Sequence, residues 1–247
     1  MLRIGFGSRE LRAPWWLALL TLAAVLLFTQ LGRWQLHRAA EKRLQQSAFD
    51  LGALQTTDLG PRAVGAVPRY QQVRFRGHYE PAHQFLLDNM TDAGRIGYQV
   101  LSPFRLDDGR LLLVNRGWLP LPAGSRNTLP DVSVDGAQSQ RLVGRVDELP
   151  VTGIAIGRAP PEAGAAWPKR TSFPTSAELA TALGEPIEAR QILLGADEPN
   201  GFVRQWKSAS AQFPPLRHIG YAIQWWAFAL LALVLFVVLN LKPRTLP

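Results

Sequence analysis

From Ile219 to Leu241 the chain carries no charged side chain. Roughly 20 apolar residues rising about 1.5 Å each span the hydrocarbon core of a bilayer, so this run predicts a transmembrane helix. Pro214-Pro215 stands just ahead of it, where proline suits the first helical turn, and Lys242 and Arg244 close the far end. A second charge-free run extends from Ala13 to Gly32, with Arg3, Arg9 and Arg12 before it. It has the basic flank and apolar centre of a signal peptide. Its exit reads Gln30-Leu31-Gly32-Arg33-Trp34 rather than a small-residue cleavage site, so an uncleaved anchor is expected. Trp15 and Trp16 at one end and Trp34 at the other suit the two membrane interfaces.

Two spans place both termini on one side of the membrane. The expected division is a basic tail at 1–12, a span at 13–32, a β-rich domain at 33–217 beginning with a helical stalk, a span at 218–241 and a basic tail at 242–247. Basic residues flank both ends of both spans, and a long intervening domain lies outside the range of the positive-inside rule. Charge alone therefore leaves the orientation open. The net charge is +8, and the tails hold Arg3, Arg9, Arg12, Lys242 and Arg244 against the single acid Glu10. The middle is of mixed sign, with no basic run interleaved with aromatics, which argues against a nucleic-acid partner. The chain has no cysteine, which excludes disulfides, thiolate metal sites and cysteine nucleophiles.

Past Gly32 the pattern stays helical to about Asp50. Gln30, Trp34, Arg38 and Lys42 recur on one stripe, read as solvated, with Glu41 one turn from His37 and Arg38. Gly52 to Pro68 reads as loop. The period then changes to two, with Val73, Phe75, Gly77 and Tyr79 alternating with Arg74, Arg76 and His78 as in a half-buried strand. Asp107-Asp108-Gly109 lies between two apolar runs and signals a hairpin turn. Leu119–Gln138 and 150–170 read as irregular, and Ser176–Leu183 before Gly184 as a short capped helix. With about seven short strands, the expected class is an α+β membrane protein. Two transmembrane helices would bracket an antiparallel domain, either barrel-like or a curved sheet.

No set of nucleophile, base and orienting group suggests an enzyme. Asp107-Asp108 is explained by turn chemistry, and His78 and His83 by surface placement. The unusual cluster is at the start of the second apolar run. Arg217 and His218 stand at the boundary, and Tyr221, Gln224, Trp225 and Trp226 follow within two turns. His218, Tyr221, Ala222 and Trp225 share a face by their i, i+3, i+4, i+7 spacing. Two readings fit these residues. One is an interfacial belt that anchors the helix. The other is a haem site, with an imidazole for the iron, aromatic planes for the macrocycle and a guanidinium for the propionates.

Several segments together resemble the surfeit-locus-one family of cytochrome c oxidase assembly proteins. They are Leu31-Gly32-Arg33-Trp34-Gln35 with Arg38 and Lys42, then Val73-x-Phe75-x-Gly77-x-Tyr79, Gly97-Tyr98 with Pro103-Phe104, Val114-Asn115-Arg116-Gly117-Trp118, and Arg217 through Trp225. The resemblance runs in order along nearly the whole chain, departing at Leu216, where relatives often carry a polar residue. It implies a two-span inner-membrane protein whose middle domain faces the periplasm, or the intermembrane space in mitochondria; with no transit peptide ahead of the first span, a bacterial protein with cytoplasmic termini is expected. It also implies a non-enzymatic role in maturing haem-copper oxidases. The partners implied are the oxidase catalytic subunit, the machinery that synthesises haem a, and membrane lipid. The cofactor is haem a, with its iron on His218 and with Arg217, Tyr221 and Trp225 around it. A scaffold for a nascent oxidase subunit that binds no haem is the alternative. For Gly77, Tyr79, Tyr98, Asn115, Gly117 and Trp118 roles in the fold are expected. Arg116 is open between backbone bonding and a haem propionate or partner.

Overall fold

The computed structural model describes residues 2–6, 8–122, 128–151, 157–208, 210–211 and 213–243. Arg244, expected at the end of the second span, lies outside them, as do parts of the stretches 119–138 and 150–170. In chain order the strands and helices are β1 (Leu2–Phe6), β2 (Arg9–Ala13), α1 (Trp15–Leu51), β3 (Thr56–Asp58), β4 (Gln72–Tyr79), β5 (Phe85–Asp92), β6 (Arg95–Leu106), β7 (Leu111–Pro120), β8 (Gln140–Asp147), β9 (Lys169–Thr171), α2 (Ser176–Leu183), β10 (Gln191–Leu194), α3 (Pro215–Asn240) and β11 (Leu241–Pro243). They form two compact units, residues 1–47 with 208–247, and residues 48–207.

The first unit is built on α1 and α3, both long and apolar enough to cross a membrane. α1 follows Pro14, whose carbonyl accepts from the Leu17 and Ala18 amides. α3 starts with Pro215 in its first turn, behind Pro214. The two helices run antiparallel and meet along small residues. Gly32 and Ala39 are buried on α1, and Ala222 and Ala229 on α3. Each pair is seven residues apart, the repeat that keeps one seam facing its partner. Gly32 leaves room for the Trp226 ring, since a Cβ there would lie 2.3 Å from its Nε1. Phe28 stacks on Trp225 with centroids 5.7 Å apart and planes at 23°. At the outer ends the expected basic tails are strands. β1 pairs antiparallel with β2, and β11 with the other edge of β2, matching Leu241 to Leu11 and Lys242 to Glu10.

The second unit is a sheet in the order β3-β4-β8-β10-β7-β6-β5-β9. It is mixed, which corrects the antiparallel expectation. β10 lies parallel to β7, β3 to β4 and β5 to β9, while β4–β8, β5–β6, β6–β7 and β8–β10 are antiparallel. The expected curvature is present without a closed barrel. β4 pairs with β8 from Gln72 to Gly77, and its last three residues also meet β6 at Leu106, Arg105 and Phe104. The inner face carries Val73, Phe75, Tyr79, Phe104, Leu112, Val114, Leu142, Val146 and Ile192, the period-two positions of their strands. Asp107-Asp108-Gly109 makes the expected turn, with Gly109 at φ +90° and its amide donating to Leu106 O.

α2 closes over a second cluster built around Phe85, Leu87, Met90 and Leu179. Thr175 caps it, accepting from the Glu178 amide, while the Glu178 carboxylate accepts from the Thr175 amide. That amide first, and Arg158 with it, hold the Glu178 carboxyl below the usual glutamate range. A depressed acid stabilises the folded state above its unfolded pKa and loses that contribution as pH falls through the folded one. Thr175→Ala should therefore cost about 1 kcal/mol near neutral pH. Thermal unfolding should show a smaller difference from the parent protein once the pH falls through the depressed folded-state pKa of Glu178 and the carboxyl is protonated.

Candidate functional site

The site grows out of the antiparallel seam. α1 and α3 face each other through Gly32 against Trp226 and Phe28 against Trp225 and Phe228, and polar side chains at the rim of the pair meet. His218, in the first turn of α3, turns towards α1, and its Nδ1 lies 2.8 Å from Oε1 of Gln35. Its Nε2 is buried and has no hydrogen-bond partner among the described residues. One face of the ring is thus held by α1, and the other nitrogen is enclosed without satisfaction.

The predicted residues divide around this ring. His218, Ala222 and Trp225, at i, i+4 and i+7, lie on the side of α3 that meets α1: Ala222 is buried, and Trp225 stacks on Phe28. Tyr221 sits on the flank and is 48% exposed, so the structure separates it from the seam. Arg217 is exposed, with its guanidinium 5.7 Å from the Phe213 ring and no carboxylate partner among the described residues. The Gln30-Trp34-Arg38-Lys42 stripe faces outward as expected. Trp34 is exposed, and Arg38 pairs with Glu41 at 2.8 Å and lies over the Trp34 ring.

Gln35 and Phe28 were not assigned to the site from the sequence, and Trp226 was named only as part of the aromatic cluster. The signal for the first two was present. Phe28, Gly32, Gln35 and Ala39 are spaced four, three and four apart, the stripe that contacts α3. The stripe continues to Gln46, whose Oε1 accepts from the Ser208 hydroxyl at 2.5 Å and from Ser210 at 3.2 Å.

In the sheet unit Asp108 and His83 have local partners. Asp108 is bound by Arg110 through two side-chain bonds of 2.7 and 2.9 Å, which hold its carboxyl below the usual range. His83 packs on the edge of the Trp167 ring. No group of three or more His, Asp or Glu side chains gathers to hold a metal ion among the described residues. Arg116, open between two roles, is 3% exposed and is used within the fold. It donates to the carbonyls of Asn200 and Val132 at 2.7 Å each and of Ser133 at 3.2 Å. Asn115 is buried and bridges the carboxamides of Gln99 and Gln191 at 3.0 Å each.

Could these side chains accept a haem? A buried polar nitrogen without a partner carries a desolvation cost, which a bond to a metal would remove. The stacked Phe28–Trp225 pair, two turns further along α3, supplies flat apolar surface, and Arg217 is a cation with no acid partner among the described residues. The donor set fits the group. It offers one nitrogen ligand and no thiolate, which agrees with the iron and not with a thiolate-ligated site.

Comparison with known proteins gives one consistent answer. The model of the SURF1 family matches residues 22–230. A SURF1-like protein of Mycobacterium bovis is 26% identical over 229 residues, covering 89% of this chain and 81% of its own. A SURF1-like protein of Rickettsia bellii is 27% identical over 137 residues, about half of each chain (51% and 51%). One of Dictyostelium discoideum is 27% identical over 111 residues, 40% of this chain and 41% of its own.

Proposed function

This chain belongs to the SURF1 family, a family associated with cytochrome oxidase assembly, and on that premise we propose that it holds haem a for delivery to the catalytic subunit of a haem-copper oxidase. The observation that supports this reading is the buried, unpartnered Nε2 of His218. Haem, when bound, brings an iron that takes a nitrogen ligand and a macrocycle that takes apolar surface. His218 would supply the nitrogen, Trp225 the aromatic surface, and Arg217 a cation for the propionates. A carrier must also release its load. A single histidine at the rim of the helix pair suits release better than a closed cage of two ligands would. The role requires no catalytic group, and the chain is read as an assembly factor and not an enzyme. In the same reading the helix pair lies in a bacterial inner membrane, with both termini cytoplasmic and the sheet unit periplasmic. There it would meet the nascent oxidase subunit and the haem a synthesis machinery.

The test is an absorption spectrum of the detergent-purified full chain from hosts with and without haem a synthesis. A Soret band is expected only with haem a, and it should weaken about tenfold in His218→Ala. An unchanged band in that variant rejects the ligand. Co-purification of an oxidase subunit without haem in the parent protein would favour the scaffold role instead.

A further inference from the structure

We propose that Gln35 is the positioning residue of this site. By accepting the Nδ1 hydrogen of His218, it selects Nε2 as the atom that ligates iron. The inference rests on the haem reading of His218 and adds the atom and the residue that sets it.

A neutral imidazole carries its hydrogen on one nitrogen and its lone pair on the other, and the hydrogen bond made by one fixes the role of the other. The partner of Nδ1 is Oε1 of Gln35 at 2.8 Å, an oxygen that can only accept. The hydrogen therefore stands on Nδ1, and in the neutral ring the lone pair stands on Nε2. Nε2 is the nitrogen left buried without a donor. A purely structural bridge between α1 and α3 would leave no reason for a second, enclosed and unsatisfied nitrogen. The placement of Gln35 is equally specific. It lies between buried Gly32 and Ala39 on the seam of α1, three residues after one and four before the other. The register that seats Trp226 against Gly32 is therefore the register that presents the carboxamide to His218.

The chemistry of the acceptor also matters. Metal-bound histidines commonly give their other N–H to a carboxylate or a carbonyl, and the stronger the acceptor, the more basic the ligand. A carboxamide is the weaker choice. It orients the ring while keeping the iron bond exchangeable, as delivery demands.

Two variants of the full chain in detergent test this, Gln35→Met and Gln35→Glu. Methionine is close to glutamine in length and has no oxygen, and glutamate restores a stronger acceptor. In 15N-histidine-labelled apo-protein, the His218 signals of the parent should show hydrogen on Nδ1 and a lone pair on Nε2. Gln35→Met should lose that preference, and its haem retention should fall at least about tenfold. Gln35→Glu should restore retention and lower the reduction potential of the bound haem relative to the parent. Unchanged tautomer and retention in Gln35→Met overturn the inference, as does a Gln35→Glu protein with the parent's potential. The two readings separate cleanly. Haem retention in His218→Ala would defeat the haem reading, whereas the tautomer in apo-protein judges Gln35 with no haem present.

Discussion

Gly77→Ala is expected to be among the most destabilising single substitutions in the sheet unit. A Cβ at this position would lie 1.9 Å from the carbonyl oxygen of Arg105, 2.8 Å from its carbon and 2.8 Å from the Phe104 ring. Two of those atoms are backbone and cannot rotate away. Gly77 lies where β4 is paired on both sides, with Gln140 of β8 and Leu106 of β6. The strands would have to part, and the β4–β6 pairs that curl the sheet would go with them. Overpacking a core by a methyl group costs about 1–3 kcal/mol where side chains can shift. With fixed backbone as the obstacle the cost should reach about 4 kcal/mol, against a total of about 5–15 kcal/mol for a domain. That is roughly a thousandfold change in the ratio of folded to unfolded protein. The check is thermal unfolding of the full chain in detergent, with limited proteolysis of residues 48–207 alongside. A midpoint within about 2 °C of the parent would overturn the expectation.

Arg116→Met should be nearly as damaging, for the opposite reason. Here a group is removed and its partners remain. The guanidinium ties the carbonyls of Val132, Ser133 and Asn200 to β7 and lies 4.9 Å from the Phe202 ring and 5.8 Å from Tyr79. Burial works against its charge and pulls its pKa down, partly offset by Tyr79 and Asp131. The same burial pushes the Tyr79 hydroxyl well above the ordinary phenol range. The Val132 carbonyl left buried without a donor costs about 1–3 kcal/mol and the part-buried Asn200 and Ser133 carbonyls less, so the variant should lose about 3 kcal/mol. Arg116→Lys should recover little, because a single ammonium cannot reproduce the planar fork. If Arg116 met a propionate instead, Arg116→Met would keep its unfolding midpoint and lose haem. The same unfolding and absorption measurements on one preparation separate these outcomes.

The candidate site was half legible. The charge-free run after Arg217 and the spacing of His218, Ala222 and Trp225 gave the helix and the face it turns to α1. Tyr221 satisfied the same spacing rule and yet is exposed, because a helix face defined by i+3 and i+4 is wider than the seam one neighbour can cover. Gln35 was missed for a related reason. The stalk was read through its charges, Arg38, Glu41 and Lys42, which mark a solvated face. The contact stripe one step around the helix carries residues without charge. In the sheet unit the alternation at Val73, Phe75 and Tyr79 matched the buried face of β4. Arg116 sits in an equally apolar run, and nothing local says whether its head reaches water or the carbonyls of two distant loops.

What the sequence determined alone was each segment's relation to its solvent. A run of some 20 residues with no charge has no stable home but a helix in apolar surroundings, and strict alternation fits only a strand with one wet face. Both properties are set by neighbours a few positions away. What only the tertiary structure decided was pairing. The placement of β10 between β8 and β7, the curl of β4 onto β6, and the choice of Gln35 as the partner of His218 join residues far apart in the chain. Such contacts are fixed by the packing of the whole fold, where shape and hydrogen-bond satisfaction are decided together, and local periodicity carries no record of them.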